Sequence, residues 1–178
     1  ATCGLSCHDA QACDVACAEE QICNIDCKNG QICQAQCTGY YADCNLDCAG
    51  AQSCTGACDE ADCNLNCDRT GTCKNTCSGF YADCSTSCDG ALSCATECDG
   101  SSCRLTGCQG GVCSSRCTQQ SLCELDCVEA KSCSLTCERG STCIIDCQGA
   151  ASCNVSCSLT SQCYLKCSPG DPNCGFTN

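Results

Sequence analysis

Apolar and polar positions alternate with a period of two inside short segments that recur about every ten residues. The clearest copies are Cys23-Asn-Ile-Asp-Cys27, Cys44-Asn-Leu-Asp-Cys48, Cys63-Asn-Leu-Asn-Cys67, Cys123-Glu-Leu-Asp-Cys127 and Cys143-Ile-Ile-Asp-Cys147. The first, third and fifth residues of each are types that bury. The second and fourth are polar, as in Asn24 and Asp26, Asn45 and Asp47, Ser134 and Thr136. Such alternation predicts a β-strand with one face inward. A five-residue strand of this kind spans roughly 13–17 Å. Between the strands lie turn-formers such as Lys28-Asn-Gly-Gln, Asp99-Gly-Ser-Ser and Gln148-Gly-Ala-Ala, whose Gly and Asn supply positive φ. The period and the density of these breakers exclude a helix.

The rule Cys-x3-Cys-x5 holds from Cys3 nearly to Cys167. Internal repetition of this kind marks a solenoid, in which each coil is stabilised by its neighbours. The expected fold is all-β: a single narrow parallel β-solenoid over 1–167, of about seventeen ten-residue coils, with a disulfide ladder inside. Stacked at the usual strand spacing, these coils would make a rod of roughly 80 Å. The inward strand centres read Leu5, Val15, Ile25, Ala35, Leu46, and later Leu105, Leu125, Leu135, Ile145, Val155 and Leu165. Residues 168–178 break the repeat and are expected to form a tail or cap, with prolines that end the ladder. Two eleven-residue units carry insertions, Gly39-Tyr40-Tyr41-Ala42-Asp43 and Gly79-Phe80-Tyr81-Ala82-Asp83, and each is followed by a compensating nine-residue unit. Segments 37–76 and 77–116 therefore read as a forty-residue internal duplication, in which Cys67 maps to Gly107 and the cysteine moves to Cys108.

Composition supplies the reason for the cysteines. The chain has 178 residues and 35 Cys, with no Met, no Trp, 2 Phe and 4 Tyr. Too few large apolar side chains remain to build an ordinary core. Cross-links must stand in by restricting the unfolded chain, at roughly 2–4 kcal/mol each. Such a thiol density implies an oxidising, extracellular compartment and secretion. Two bonding registers fit the spacing. Pairs such as Cys3–Cys7 leave Cys174 over. Pairs such as Cys7–Cys13, Cys17–Cys23 and Cys27–Cys33 run to Cys167–Cys174 and leave Cys3 over. An extended strand holds Cys3 and Cys7 too far apart to bridge, which favours the second register, whereas a bent strand permits the first. Either way one cysteine, Cys3 or Cys174, is odd and a candidate for an intermolecular bond. The chain opens inside the repeat, which reads as a mature or excised product.

Charge removes several functions. A formal net charge of −13 argues against nucleic acid and anionic membrane surfaces, and no apolar run is long enough to insert in a bilayer. Cysteine content suggests metallothionein, but Cys-x-Cys and Cys-x-x-Cys are missing, so no metal site is expected. Calcium has candidate carboxylates in Asp59 and Asp68, and in Asp89 and Asp99, on successive units, and in Asp26 and Asp47, and Asp126 and Asp146, two units apart. All are single-file on an open face, short of the six to eight oxygens calcium takes. The lone histidine, His8, lies on a turn, and no acid/base pair or phosphate loop accompanies it. No enzyme activity and no cofactor are therefore expected. Asn154-Val-Ser156 is a sequon within a strand. The individual feature is aromatic: Tyr40, Tyr41, Phe80 and Tyr81 are expected to project from one edge, four coils or roughly 19 Å apart, as a contact patch.

The tight repeat with two cysteines per unit resembles the disulfide-spanned solenoids of insect antifreeze proteins. That resemblance implies the architecture. It would imply ice binding only with a flat rank of Thr or Tyr, whereas the outward columns here read Gly4, Asp14, Asn24, Gln34, Asn45, Thr55, Asn64, Lys74. The Cys-Asn-Leu-Asp-Cys texture also resembles cysteine-rich decapeptide-repeat segments of secreted microbial proteins. The function expected from the residues is an extracellular structural or adhesive rod or filament subunit, with ice binding as the alternative. Its expected partners are copies of itself stacked end to end, or an extracellular surface.

Overall fold

The computed structural model describes residues 2–19 and 21–177, with the backbone alone for Thr177. Among them there is no helix, and eighteen strands follow one another: β1 (Thr2–Ser6), β2 (Ala12–Cys17), β3 (Ile22–Asp26), β4 (Ile32–Thr38), β5 (Asp43–Asp47), β6 (Ser53–Asp59), β7 (Asp62–Asn66), β8 (Thr72–Ser78), β9 (Asp83–Ser87), β10 (Ser93–Asp99), β11 (Ser102–Thr106), β12 (Val112–Thr118), β13 (Leu122–Asp126), β14 (Ser132–Cys137), β15 (Thr142–Asp146), β16 (Cys153–Cys157), β17 (Gln162–Lys166) and β18 (Cys174–Thr177). Odd strands stack in one nine-stranded parallel sheet and even strands in a second. The protein is a disulfide-laddered parallel β-solenoid.

The ten-residue unit is half a coil. Cys3 stacks on Cys23 and Cys23 on Cys44 in the odd sheet, while Cys13 stacks on Cys33 in the even sheet. One coil therefore takes about twenty residues, two strands and two corners. There are nine coils, not seventeen, and the rod is about 40 Å long at the usual spacing, not 80 Å. The physical reason is closure. A five-residue strand running 13–17 Å needs an equally long return strand before the chain can stack on itself, and five turn residues cannot supply one. Segments 37–76 and 77–116 thus span two coils each. Residues 168–178 add one more strand: the turn holding Pro169 and Pro172 leads into β18, which pairs with β16, so the ladder runs past the prolines.

Every corner carries one disulfide. The last Cys of each strand bonds the first Cys of the next, from Cys7–Cys13, Cys17–Cys23 and Cys27–Cys33 to Cys167–Cys174. Their Cα atoms lie 5.9–6.4 Å apart, inside the range a disulfide accepts. Cys3 is the one free cysteine, and it is exposed. Neighbouring bonds stack closely enough that the sulfurs of Cys17, Cys23 and Cys44 lie within 4.8 Å of one another.

Between the two sulfur ladders the interior holds two strand centres per coil, and the sheets share the volume unequally. Ile25, Leu46, Leu65, Leu105, Leu125 and Ile145 fill it from the odd sheet. Facing them on the even sheet are smaller residues in the middle coils: Ala35, Gly56, Thr96 and Ser115. A Cβ on Gly56 would meet Leu65 Cδ1 at 2.7 Å, so this glycine is a matter of space. One coil inverts the pattern: the odd sheet has Thr86, and Asn75 reaches it from the even sheet, donating from Nδ2 to Thr86 Oγ1 at 3.0 Å. Both are buried. Small residues line the corners: Ala51, Thr70, Ala91, Ala130 and Ala150 at one, Ala42, Ala61, Ala82, Ser101, Ser121 and Ser141 at the other.

The recurrent Asp before the second cysteine is a turn device. Asp26, Asp47, Asp126 and Asp146 each accept the backbone N–H two residues on at 3.2–3.3 Å. This is the Asx pattern that competes with regular structure and favours turns. Asp26 and Asp47 lie on adjacent coils, as do Asp126 and Asp146, whereas Asp59 and Asp68 follow strands of different sheets.

Two outcomes follow from this packing. Alkylation of the denatured, unreduced protein should label one thiol, on Cys3; a peptide map showing Cys174 labelled would contradict the register. Thr86→Val strands the buried Asn75 amide and should cost about 1–3 kcal/mol. Asn75→Leu together with Thr86→Val removes both polar groups and should recover most of that loss, read as native-state hydrogen exchange of the flanking strands.

Candidate functional site

Seven- and five-residue disulfide spacings alternate along one edge of the solenoid: Cys37–Cys44, Cys58–Cys63, Cys77–Cys84 and Cys98–Cys103. Long corners therefore project beside short ones. Because a coil is twenty residues, the two aromatic corners are two coils apart, about 10 Å rather than 19 Å. They touch across the short corner between them: Tyr40 and Tyr81 have ring centroids 6.0 Å apart in an edge-to-face contact, an arrangement favoured by the ring quadrupoles.

Below this contact is a hollow of about 660 Å³ lined by Tyr40, Tyr41, Ala42, Glu60, Ala61, Asp62 and Tyr81. The short corner Asp59-Glu60-Ala61-Asp62 is its floor. Buried Ala61 keeps the floor low, and Glu60 and Asp62 stand on either side. Tyr40 is anchored: its hydroxyl donates to Glu60 Oε1 at 3.0 Å. That bond, the Glu60 charge, partial desolvation and Tyr81 together hold the Tyr40 phenol above its ordinary pKa. Tyr41 and Tyr81 stay 87% and 78% exposed. Tyr41 and Glu60 both take positive φ, 65° and 55°, a conformation bulky residues rarely adopt.

Carboxylates crowd the same edge. Asp43 and Asp62 are direct neighbours in the odd sheet. Asp83 donates its backbone N–H to Asp62 Oδ1 at 2.9 Å. Asp43 Oδ1 is buried with no hydrogen-bond partner among the described residues. The corners from 38 to 43, 59 to 62, 78 to 83 and 99 to 102 contain no Lys or Arg.

The sequence singled out the four aromatic residues. The structure joins Tyr40, Tyr41 and Tyr81 in one hollow. Phe80 instead leans over the next short corner, 3.8 Å from the position a Gly100 Cβ would take. Glu60 and Asp62 were missed. The available signal was the alternation of eleven- and nine-residue units, which sets a low corner between two high ones.

A second hollow lies on the odd sheet's outer face, about 430 Å³ between the columns Asn24, Asn45, Asn64 and Asp26, Asp47, Asn66. Separating the sheets reveals an amide ladder that the interleaved reading hid: Asn45 donates to Asn24 at 3.2 Å and Asn64 to Asn45 at 3.1 Å. Lys28 bridges Asp47 at 2.8 Å and Asp26 at 3.5 Å, and these contacts raise its pKa. The ladder's groups satisfy one another, and the groove is open. His8 pairs with its neighbour Asp9 at 2.7 Å on an exposed corner. No helix among the described residues is long and apolar enough to cross a membrane.

No protein-family model matches the chain, and no curated protein or solved structure gives a significant match.

Tyr40 should ionise above the ordinary tyrosine range in an alkaline titration followed at this residue by NMR. A phenol with a raised pKa contributes to stability below its unfolded pKa and loses that contribution as pH rises through the folded value. Glu60→Gln should return Tyr40 toward the ordinary tyrosine range; an unchanged titration would show that Glu60 does not hold the hydroxyl.

Proposed function

We propose that this protein is a non-catalytic structural or adhesive rod of the extracellular space. The observation that carries the reading is the bond at every corner from Cys7 to Cys174. Disulfides persist only in oxidising surroundings, and a rod so bridged keeps its shape without a large apolar core. The outer faces are largely polar and acidic; the most exposed apolar side chains are Tyr41, Phe80 and Tyr81 at the aromatic edge, Leu92 at an opposite corner and Leu159 near one end. Terminal strands β1, β2, β17 and β18 each have one unpaired edge among the described residues, and such an edge accepts a further strand. End-to-end stacking of copies is the filament form of the proposal.

Ice binding is the second reading. It is favoured by the in-register rank Asn24, Asn45, Asn64 at strand spacing. It is weakened by what continues that column: Ser85, Arg104, Glu124, Ile144, Tyr164, with Arg104 and Glu124 in an ion pair at 3.6 Å.

The oxidised protein, imaged by electron microscopy in physiological salt and weighed on a polar surface by quartz-crystal microbalance, should form filaments or adsorb firmly as intact rods. Dispersed particles about 40 Å long that fail to adsorb would sink the proposal. Thermal hysteresis in the same preparation would transfer the reading to ice binding.

A further inference from the structure

The duplication supplies an internal comparison. Tyr40-Tyr41 above Glu60-Ala61-Asp62 is repeated forty residues on as Phe80-Tyr81 above Gly100-Ser101-Ser102. The two copies differ in a concerted way. Where the first has a hydroxyl on Tyr40 and a carboxylate on Glu60 to receive it, the second has Phe80 and Gly100. Where the first has Asp62, the second has Ser102. Phe80 settles over its glycine, and the second copy has no charge at the positions of Glu60 and Asp62. The first copy keeps an open hollow and two carboxylates, and its rings Tyr40 and Tyr41 are joined there by Tyr81 of the second.

Those carboxylates have capacity left over. Glu60 uses Oε1 for Tyr40, and Asp62 uses Oδ1 for the Asp83 N–H. Each has a second oxygen facing no positive charge, since no Lys or Arg occurs on this stretch of the edge. Asp43, stacked beside Asp62, adds a third anion, with its buried Oδ1 unpartnered. Like charges on directly opposed strand positions repel. Aromatic faces attract cations through their quadrupoles, more strongly once water is displaced. Ring faces over carboxylates are chemistry for a cation carried on a carbon stem, which an aqueous inorganic ion lacks.

We infer that the Tyr40–Tyr41–Tyr81 hollow receives an arginine or lysine side chain from a basic polypeptide partner, its cation held between the rings and the free oxygens of Glu60 and Asp62. Charge complementarity selects the partner: a chain of −13 attracts basic segments. The hollow would serve as the adhesive contact of the rod, but the rod reading does not depend on it.

The test titrates the oxidised protein with blocked tetra-arginine and tetra-lysine peptides, with tetra-glutamate as control, and follows residue-resolved NMR shifts. Shifts should centre on Tyr40, Tyr41, Tyr81, Glu60 and Asp62 and spare Tyr164. Tyr81→Ala, which changes no charge, should weaken binding about fivefold, the scale of one cation–π contact. Glu60→Gln with Asp62→Asn should weaken it further. Asp126→Asn with Asp146→Asn, which removes the same charge from the odd sheet's face, should leave it nearly unchanged. If both double variants weaken binding equally while Tyr81→Ala does nothing, attraction is diffuse and the hollow is not a site. Absence of peptide binding to the unsubstituted protein, while it still forms filaments, overturns this inference and leaves the rod standing.

Discussion

The fold turns on what can be enclosed by a coil of about twenty residues. Two strands and two tight corners leave room for two strand-centre side chains per coil and little else. The apolar area so buried cannot offset the ordering of the chain, which costs roughly 1–2 kcal/mol per residue in backbone entropy alone. A bond at each corner acts on the other side of the balance, by removing freedom from the unfolded chain. Each closes only five to seven residues of sequence, so each contributes about 2–2.5 kcal/mol in the loop-entropy account. Their strength is in number. The paired cysteines are also buried along most of the rod, so the same residues cross-link the chain and fill its interior.

That constraint explains the division of labour between the sheets. In the middle coils a Leu on one side is met by a small residue on the other, as Leu65 is by Gly56, whereas toward the C-terminal end Leu135 and Val155 are buried opposite Leu125 and Ile145. Where the odd sheet has Thr86 instead, the even sheet answers with Asn75, and a buried hydrogen bond takes the place of an apolar contact. Polar residues serve geometry in the same way. Asp26, Asp47, Asp126 and Asp146 are turn acceptors first and surface charges second.

The alternation of buried and exposed residues was plain in the sequence, as were the parallel stacking, the cysteine ladder and the aromatic insertions. The coil was taken as ten residues because cysteine recurs at ten. Its true length was written in the strand centres: Ile25, Ala35, Leu46, Gly56 and Leu65 alternate large and small with a period of twenty. Cysteine masks that period because it suits both sheets equally. The error carried into everything measured along the axis, including the separation of the aromatic corners and the pairing of the acidic columns. At the hollow, the rings were legible because they are rare in this chain. Glu60 and Asp62 were not, since a carboxylate in an acidic protein carries no signal until its neighbours in space are known.

The register of the bonds has a consequence for how such a chain matures. Correct pairing joins each thiol only to an immediate neighbour, and always on the same side, so the ladder behaves as dimers tiled along a line. Within nearest-neighbour pairing, a shift moves the unpaired thiol along the ladder by two cysteines for each bond exchanged, and carried through the whole ladder it would leave Cys174 free instead of Cys3. With Cys3 unpaired at one end and Cys174 paired at the other, the two phases of tiling are distinguished by which terminus is left reactive. The straightness of the strands, too long to bridge end to end, is what proofreads the choice.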